Sequence, residues 1–162
     1  MNTGQTMMTM GAMMLLSAVV LRVNTSNLNN ESIRDQAQYG VLATSIATSI
    51  IEEAQSKSFD HFTDTNSVSL LTQLSSALGP EGSETEETFN DFDDYDGFTK
   101  RDSTMPSAIF DIACEVVYVN PNDIQGFTTN RTWHKKINVN ISSPFSPDTF
   151  KTSSIFSYWF FR

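Results

Sequence analysis

The chain begins with an apolar segment and then changes character. Residues 7–21 form an apolar run broken at three positions, and the first charged side chain is Arg22. An α-helix over residues 5–23 is about 28 Å long at about 1.5 Å per residue. The hydrocarbon core of a bilayer has a similar thickness. The pattern therefore predicts a helix that is covered by lipid or by other copies of itself.

A second helical pattern follows an asparagine-rich segment, residues 24–30. The asparagines compete for backbone hydrogen bonds, so we expect the helix to loosen there. Beyond them, apolar side chains recur mostly every four residues over 32–56, which predicts an amphipathic helix. Its stripe consists of Ile33, Ala37, Leu42, Ile46, Ile50 and Ala54. This stripe requires a partner surface.

The remaining chain predicts a short helix and then a sheet. Leucines at spacings of three and four predict a helix over 67–78, and after Pro106 the apolar period changes to two. Alternating segments at 110–119, 133–142 and 151–161 predict successive antiparallel strands. The predicted fold class is α+β, with a long N-terminal helix packed on a three- to four-stranded antiparallel sheet. The predicted organisation is an apolar helix, residues 1–23, and a globular head, residues 24–162.

Composition narrows the function classes. The net charge is −9 and only 10 of 162 residues are Lys or Arg, which argues against a nucleic-acid partner. No nucleophile elbow, phosphate-binding loop or dinucleotide glycine pattern occurs, and His61 and His134 fit no metal or triad spacing. We therefore expect no enzyme activity and no catalytic residue. The single cysteine, Cys114, lies in an alternating strand and is predicted to be a core residue.

The acidity is concentrated in one segment. Residues 81–96 carry eight of the chain's carboxylates and no base. The side chains of Asp91, Asp93, Asp94 and Asp96 offer hard oxygens of the kind that Ca²⁺ binds. The spacing is not that of an EF-hand, because Tyr95 occupies the fifth position counted from Asp91. Two interpretations stay open: a calcium site, or a solvated loop without a cofactor whose acids cap turns while its aromatic rings are buried.

The C-terminal strand is apolar on both faces. Trp159 and Phe161 alternate with Tyr158 and Phe160. If one face packs on the helix, the face with Trp159 and Phe161 is free to contact a neighbouring subunit. The alternative is a strand covered on both sides by the head itself.

Gly4 lies directly before the apolar segment, a helix end is predicted at 46–59, an Asp-Asp-Tyr-Asp-Gly loop occupies 93–97 and a strand is predicted at 135–139. Together these motifs resemble type IV pilins, in particular minor prepilin-like proteins of the mannose-sensitive haemagglutinin type. The resemblance implies that prepilin peptidase cleaves after Gly4 and leaves Gln5 as the new terminus. It also implies a single-pass inner-membrane stage followed by assembly into an extracellular filament at the cell surface, with copies of the chain or other pilins as partners.

The resemblance assigns assembly to the apolar helix. Its candidate contact residues are Met8, Met10, Gly11, Met13, Met14, Leu15, Leu16, Val19 and Val20. Most major pilins carry glutamate at the fifth mature position, where this chain has Thr9, so assembly relies on close packing of small residues or the chain is a minor subunit. The expected function is thus a filament subunit or minor pilin. The alternatives are a pseudopilin of type II secretion and a monomeric membrane-anchored binding module that uses the 81–96 loop.

Overall fold

A computed structural model describes residues 2–105 and 108–158 of the chain. It contains one α-helix and five strands, together with three short 3₁₀ turns. The chain divides into two compact units, one ending at Tyr39 and the other beginning at Gly40. The elements are α1 (Thr3–Ser56), β1 (Thr99–Met105), β2 (Ala108–Asn120), β3 (Asp123–Thr128), β4 (His134–Ser143) and β5 (Ser146–Ser157).

Helix α1 runs without interruption through the asparagine-rich segment, where we expected it to loosen. Asparagine costs only about 0.7 kcal/mol or less relative to alanine in a helix interior. All of residues 24–30 are exposed, so their amide side chains can be hydrated without competing for the helix backbone. The composition lowered the helix propensity of this segment without breaking the helix.

The part of α1 within the second unit packs on the sheet through small residues. A Cβ on Gly40 would lie 3.2 Å from Cε1 of Phe150, which indicates a close approach between helix and strand β5. The Gln55 amide donates a hydrogen bond to Ser154 Oγ at 2.8 Å. The buried helix residues are Ala43, Ala47 and Ala54. Of these, only Ala54 belongs to the predicted stripe. Its other members are half-buried (Leu42, Ile46 and Ile50) or exposed (Ala37, and Ile33 at 62%), so the buried face is shorter than predicted and is displaced onto neighbouring alanines.

The sheet is antiparallel throughout, with the order β1-β2-β4-β5. Strand β3 pairs only with the last residues of β2, on the edge opposite β4. The α+β fold class is confirmed, although the sheet has five strands where three to four were predicted. The missed strands lack apolar alternation: β1 reads Thr-Lys-Arg-Asp-Ser-Thr-Met, and most of β3 is exposed.

The core lies where the alternating strands meet rings from the preceding loop. Alternate residues of β2 and β4 are buried, and Cys114 is among them as predicted. The ring of Phe92 belongs to the acidic loop, residues 81–96, and lies 5.1 Å from the ring of Phe156 on β5. The ring of Phe59, just after α1, lies 5.8 Å from the same residue. Aromatic side chains thus attach the loop to the sheet.

Residues 57–98 contain no second α-helix within the described structure. The predicted helix over 67–78 is wrong, since only the 3₁₀ turn Leu71–Gln73 forms there. The side chain of Gln73 accepts hydrogen bonds from the backbone N–H groups of Ser69 and Leu70 at 3.0 and 2.9 Å. These bonds stabilise a turn at the point where the helix would have begun. The leucine spacing is typical of a helix, but the hydrogen bonds of the Gln73 side chain favour a turn in its place.

Candidate functional site

The apolar first half of α1 is exposed around its whole circumference. This part of the helix is long and apolar enough to cross a membrane, and none of its apolar stretch is buried within the chain. The large apolar side chains named above as assembly residues are all exposed: Met8, Met10, Met13, Met14, Leu15, Leu16, Val19 and Val20 are each between 58% and 80% exposed. Such a continuous surface marks a site of contact with lipid or protein.

Three threonine hydroxyl groups in this half of the helix are bonded internally. Thr6 Oγ1 donates to the Thr3 carbonyl, and Thr9 Oγ1 donates to the Thr6 carbonyl, both at 2.9 Å. Thr25 Oγ1 donates to the Leu21 carbonyl at 2.9 Å. A hydroxyl with an internal partner can enter a water-free environment at low cost. These threonines are therefore compatible with burial of the helix in lipid or among other helices.

The predicted processing residues lie at the very start of α1. Gly4 and Gln5 belong to its first turn, and the Gln5 N–H donates to the Asn2 carbonyl at 2.9 Å. A Cβ placed on Gly4 would meet no atom within 4 Å. Gly4 is therefore sterically accessible, and its role in processing stays a prediction. Trp159 and Phe161, predicted to form an interface, lie outside the described residues.

A buried ion cluster lies beneath the acidic loop and is centred on Lys135 of β4. Its ammonium group donates hydrogen bonds to the Phe59 carbonyl at 2.8 Å, to Asp60 Oδ2 at 2.9 Å and to Asp93 Oδ1. The three charged side chains are at most 1% exposed. Lys135 Nζ also lies 4.7 Å from the centroid of the Phe59 ring. The ammonium thus has three acceptors and an aromatic face, which compensates for its removal from water.

Asp60 joins this cluster to the rest of the loop. Its carboxylate accepts from the backbone N–H and the hydroxyl of Ser75 at 3.0 to 3.2 Å, and from the Phe62 N–H at 3.2 Å. Burial alone would raise the pKa of Asp60. The Lys135 charge and these hydrogen bonds outweigh burial and hold that pKa below its usual value. Asp60 is therefore ionised and paired in the folded head.

Asp91 and Asp93 are buried beside each other and share the influence of one lysine. Burial, together with the neighbouring Asp93, raises the pKa of Asp91 to about 9. Burial also raises the pKa of Asp93, against the opposing effect of Lys135. A protonated Asp91 can donate a hydrogen bond to Asp93. This arrangement carries one fewer buried negative charge than the sequence suggests.

The four aspartates predicted as calcium ligands have different surroundings. Asp93 bonds Lys135, while Asp96 Oδ1 accepts from the Val116 N–H on β2 at 2.8 Å. Asp91 and Asp94 instead fall into two groups of potential ligands, and in each group the ligand atoms lie within 4.8 Å of one another. One group consists of His61, Glu81 and Asp91, and the other of Glu81, Glu84 and Asp94.

Burial raises the pKa of both Glu81 and Asp94. For Glu81 the next largest effect is the charge of His61, which lowers the pKa. The Nδ1 atom of His61 lies 3.7 Å from the Glu81 carboxylate. For Asp94, two backbone N–H donors lower the pKa, and the charges of Glu84 and Asp93 raise it. Within the described residues, Asp94 forms no ion pair like that of Asp60, and Glu81 forms one only with His61, at 3.7 Å.

Sequence reasoning missed Lys135, Asp60, Glu81 and Glu84 as site residues. The burial of Lys135 could have been predicted, because it precedes the buried residues Ile137 and Val139 at intervals of two along β4. A strand period of two places it on the core face. For Asp60 no local signal exists. Glu81 and Glu84 lie in the acidic segment 81–96, but which of its carboxylates converge depends on how residues 57–98 fold.

Comparison with known proteins adds no identification. No protein-family model, no curated protein and no solved structure matches this chain. The structure shows a long N-terminal helix, apolar at its start, together with an antiparallel sheet. That arrangement is compatible with a pilin-like fold.

Proposed function

We propose that the chain is a structural subunit, major or minor, of a type IV pilin-like extracellular filament and assembles through the apolar half of α1. One observation carries the proposal: this half is exposed on all sides and contains no charged residue before Arg22. Apolar surface on every side of a helix needs cover from every side. A membrane supplies that cover before assembly, and neighbouring helices supply it in a filament.

The composition of the helix supports packing against irregular neighbours. Met8, Met10, Met13 and Met14 are unbranched and adapt to differently shaped surfaces. Gly11 has no side chain, and a Cβ placed there would meet no neighbouring group within 4 Å, which leaves room for another helix to approach closely. Thr9 stands where most major pilins carry glutamate, and its hydroxyl already bonds the Thr6 carbonyl. A minor subunit needs no charge pairing repeated along a fibre.

The second candidate is a monomeric membrane-anchored binding module. The observation that favours it is the acidic loop, which carries carboxylates without basic partners close to the surface. In this case lipid covers the helix permanently. A secretion pseudopilin would share the assembly mechanism and differ in the length and location of the fibre.

The test substitutes an aspartate into the apolar half, with a matched control in the head. Leu16 is 65% exposed and Leu70 is 61% exposed. In a membrane-spanning helix a Leu-to-Asp change costs about 3 to 4 kcal/mol. We expect Leu16→Asp to abolish fibres in negative-stain microscopy of sheared cell surfaces, and Leu70→Asp to leave them in place.

Near-ultraviolet circular dichroism of both purified variants checks that the head is folded. Fibres of normal number from Leu16→Asp would refute assembly through this helix. Wild-type cells without fibres, combined with protein that stays in the membrane fraction as a monomer, would favour the anchored binding module.

A further inference from the structure

We propose that the acidic loop binds one Ca²⁺ ion through Glu81, Glu84 and Asp94. Each side chain offers one carboxylate oxygen, and these atoms all lie within 4.8 Å of one another. Calcium–oxygen distances are about 2.4 Å, so two ligands of one ion are at most about 4.8 Å apart. The three oxygens therefore fit a single coordination sphere.

Unpartnered buried oxygens point to a ligand at this position. Asp94 has no exposed surface, and its Oδ2 accepts from the N–H groups of Asn90 and Asp91 at 2.8 and 3.1 Å. Its other oxygen, Oδ1, is buried and has no hydrogen-bond partner. The same holds for Glu81 Oε2 and for Asn90 Oδ1. A buried acceptor without a donor is costly, and a cation would relieve that cost at several atoms together.

The surrounding charges do not supply this compensation. Among the described residues, Lys135 is engaged by Asp60 and Asp93, and Lys100 by Glu86. His61 Nδ1 lies 3.7 Å from Glu81 Oε2, and the His61 side chain is 44% exposed. In the part of the chain that the structure describes, no base forms an ion pair with Glu84 or Asp94. Glu84 and Asp94 accept hydrogen bonds from backbone N–H groups and from the Asn90 amide, but no cation among the described residues neutralises their charge.

Local backbone structure brings the two glutamates together. Gly82 has a φ of +63°, which a residue with a side chain adopts only with strain. The turn is closed by a hydrogen bond from the Glu84 N–H to the Glu81 carbonyl at 3.2 Å. Glu84 also accepts from the Asn90 amide at 2.7 Å, which fixes its carboxylate beside the aspartate.

The ligand chemistry favours calcium. All three side chains offer hard oxygen ligands, whereas zinc prefers nitrogen and sulfur. Magnesium requires near-ideal octahedral geometry at about 2.1 Å, and calcium accepts six to eight ligands in irregular arrangements. Glu81 and Glu84 are partly exposed, so water can complete the coordination sphere. The neighbouring group with His61 and Asp91 shares Glu81 and is the competing site, which would suit zinc.

The test is isothermal titration of CaCl₂ into the full-length chain in non-ionic detergent, after metal removal with EDTA. We expect one saturable site with a Kd on the order of 10⁻⁴ to 10⁻³ M, the range of extracellular calcium modules. Glu84→Gln should weaken binding at least about tenfold, since each lost carboxylate removes a ligand charge. Glu86→Gln is the matched control: it removes the same charge from the same loop at a residue paired with Lys100, and we expect a change below twofold.

Absence of saturable calcium binding would overturn the proposal, as would equal losses in the two variants. Binding of ZnCl₂ that survives Glu84→Gln and is lost in His61→Ala would assign the metal to the competing group instead. The titration uses detergent-solubilised protein and does not depend on assembly. Its result is therefore separable from that of the filament test.

Discussion

Replacement of Lys135 by methionine tests whether the buried ion cluster holds the head together. Methionine has a similar length and fills most of the same space, so the main change is the loss of the ammonium. That loss leaves Asp60 and Asp93 buried without the cation that each contacts. Removal of one partner of a buried ion pair costs about 3 to 5 kcal/mol. A domain is stable by about 5 to 15 kcal/mol, so the variant should be close to its unfolding limit.

The neighbouring residue provides the control. Lys136 is also nearly buried, but its ammonium donates to the backbone carbonyls of residues 124–126 at 3.1 to 3.2 Å and to no carboxylate. Strand β3 is largely exposed, so water can replace the lysine at these carbonyls. We expect Lys136→Met to cost about 1 to 2 kcal/mol. The predicted difference between the two variants is therefore about 1 to 4 kcal/mol.

The assay is urea unfolding of the full chain in non-ionic detergent, followed by near-ultraviolet circular dichroism of the aromatic core. If Lys135→Met fails to fold, addition of Asp60→Asn and Asp93→Asn should restore folding, because neutral amides carry no buried charge. Equal unfolding free energies for Lys135→Met and Lys136→Met would refute the reasoning. Failure of the triple variant to gain stability over Lys135→Met would refute it as well.

Two further predictions concern protonation. The lowered pKa of Asp60 means that its pairing contributes stability above the unfolded value of 3.8, and that this contribution is lost as the pH falls below it. The unfolding free energies of wild type and Asp60→Asn should therefore converge in acid; a constant difference from pH 6 to pH 2 would contradict this. Burial raises the pKa of Cys114 to about 11, so iodoacetamide at pH 8 should label the native chain at least about a hundred times more slowly than the chain in urea. Equal labelling rates, measured by intact mass, would show that the thiol is accessible.

The sequence predicted those parts of the structure that depend on local periodicity. The apolar run and the four-residue stripe predicted the long helix. The alternation of β2 and β4 predicted the sheet, and the stripe predicted that helix and sheet pack together. The stripe began too early, at Ile33, because periodicity indicates an apolar face and not where a partner surface starts. Strand β1 was missed because its side chains do not alternate, and pairing with β2 defines it.

The candidate cation site was predictable only in part. Eight carboxylates in sixteen residues indicated that this loop could bind a cation. Only aspartates were predicted as ligands, because they lie close together in the sequence. The oxygens that converge come from Glu81, Glu84 and Asp94, which Gly82 and the bonds of Asn90 bring together. Such convergence depends on the fold of the whole loop. Short-range spacing does not contain that information.

The three hydrogen bonds of Lys135 have a consequence for how the head resists proteases. They connect one strand residue to positions 76, 75 and 42 residues away along the chain, on both sides of a long stretch without regular secondary structure. Release of either anchored end exposes an unpaired charge in the core, so this stretch should not detach by itself. Cleavage sites near its anchors then become available only when the sheet itself opens, so the head keeps a long loop without offering proteases an easy entry.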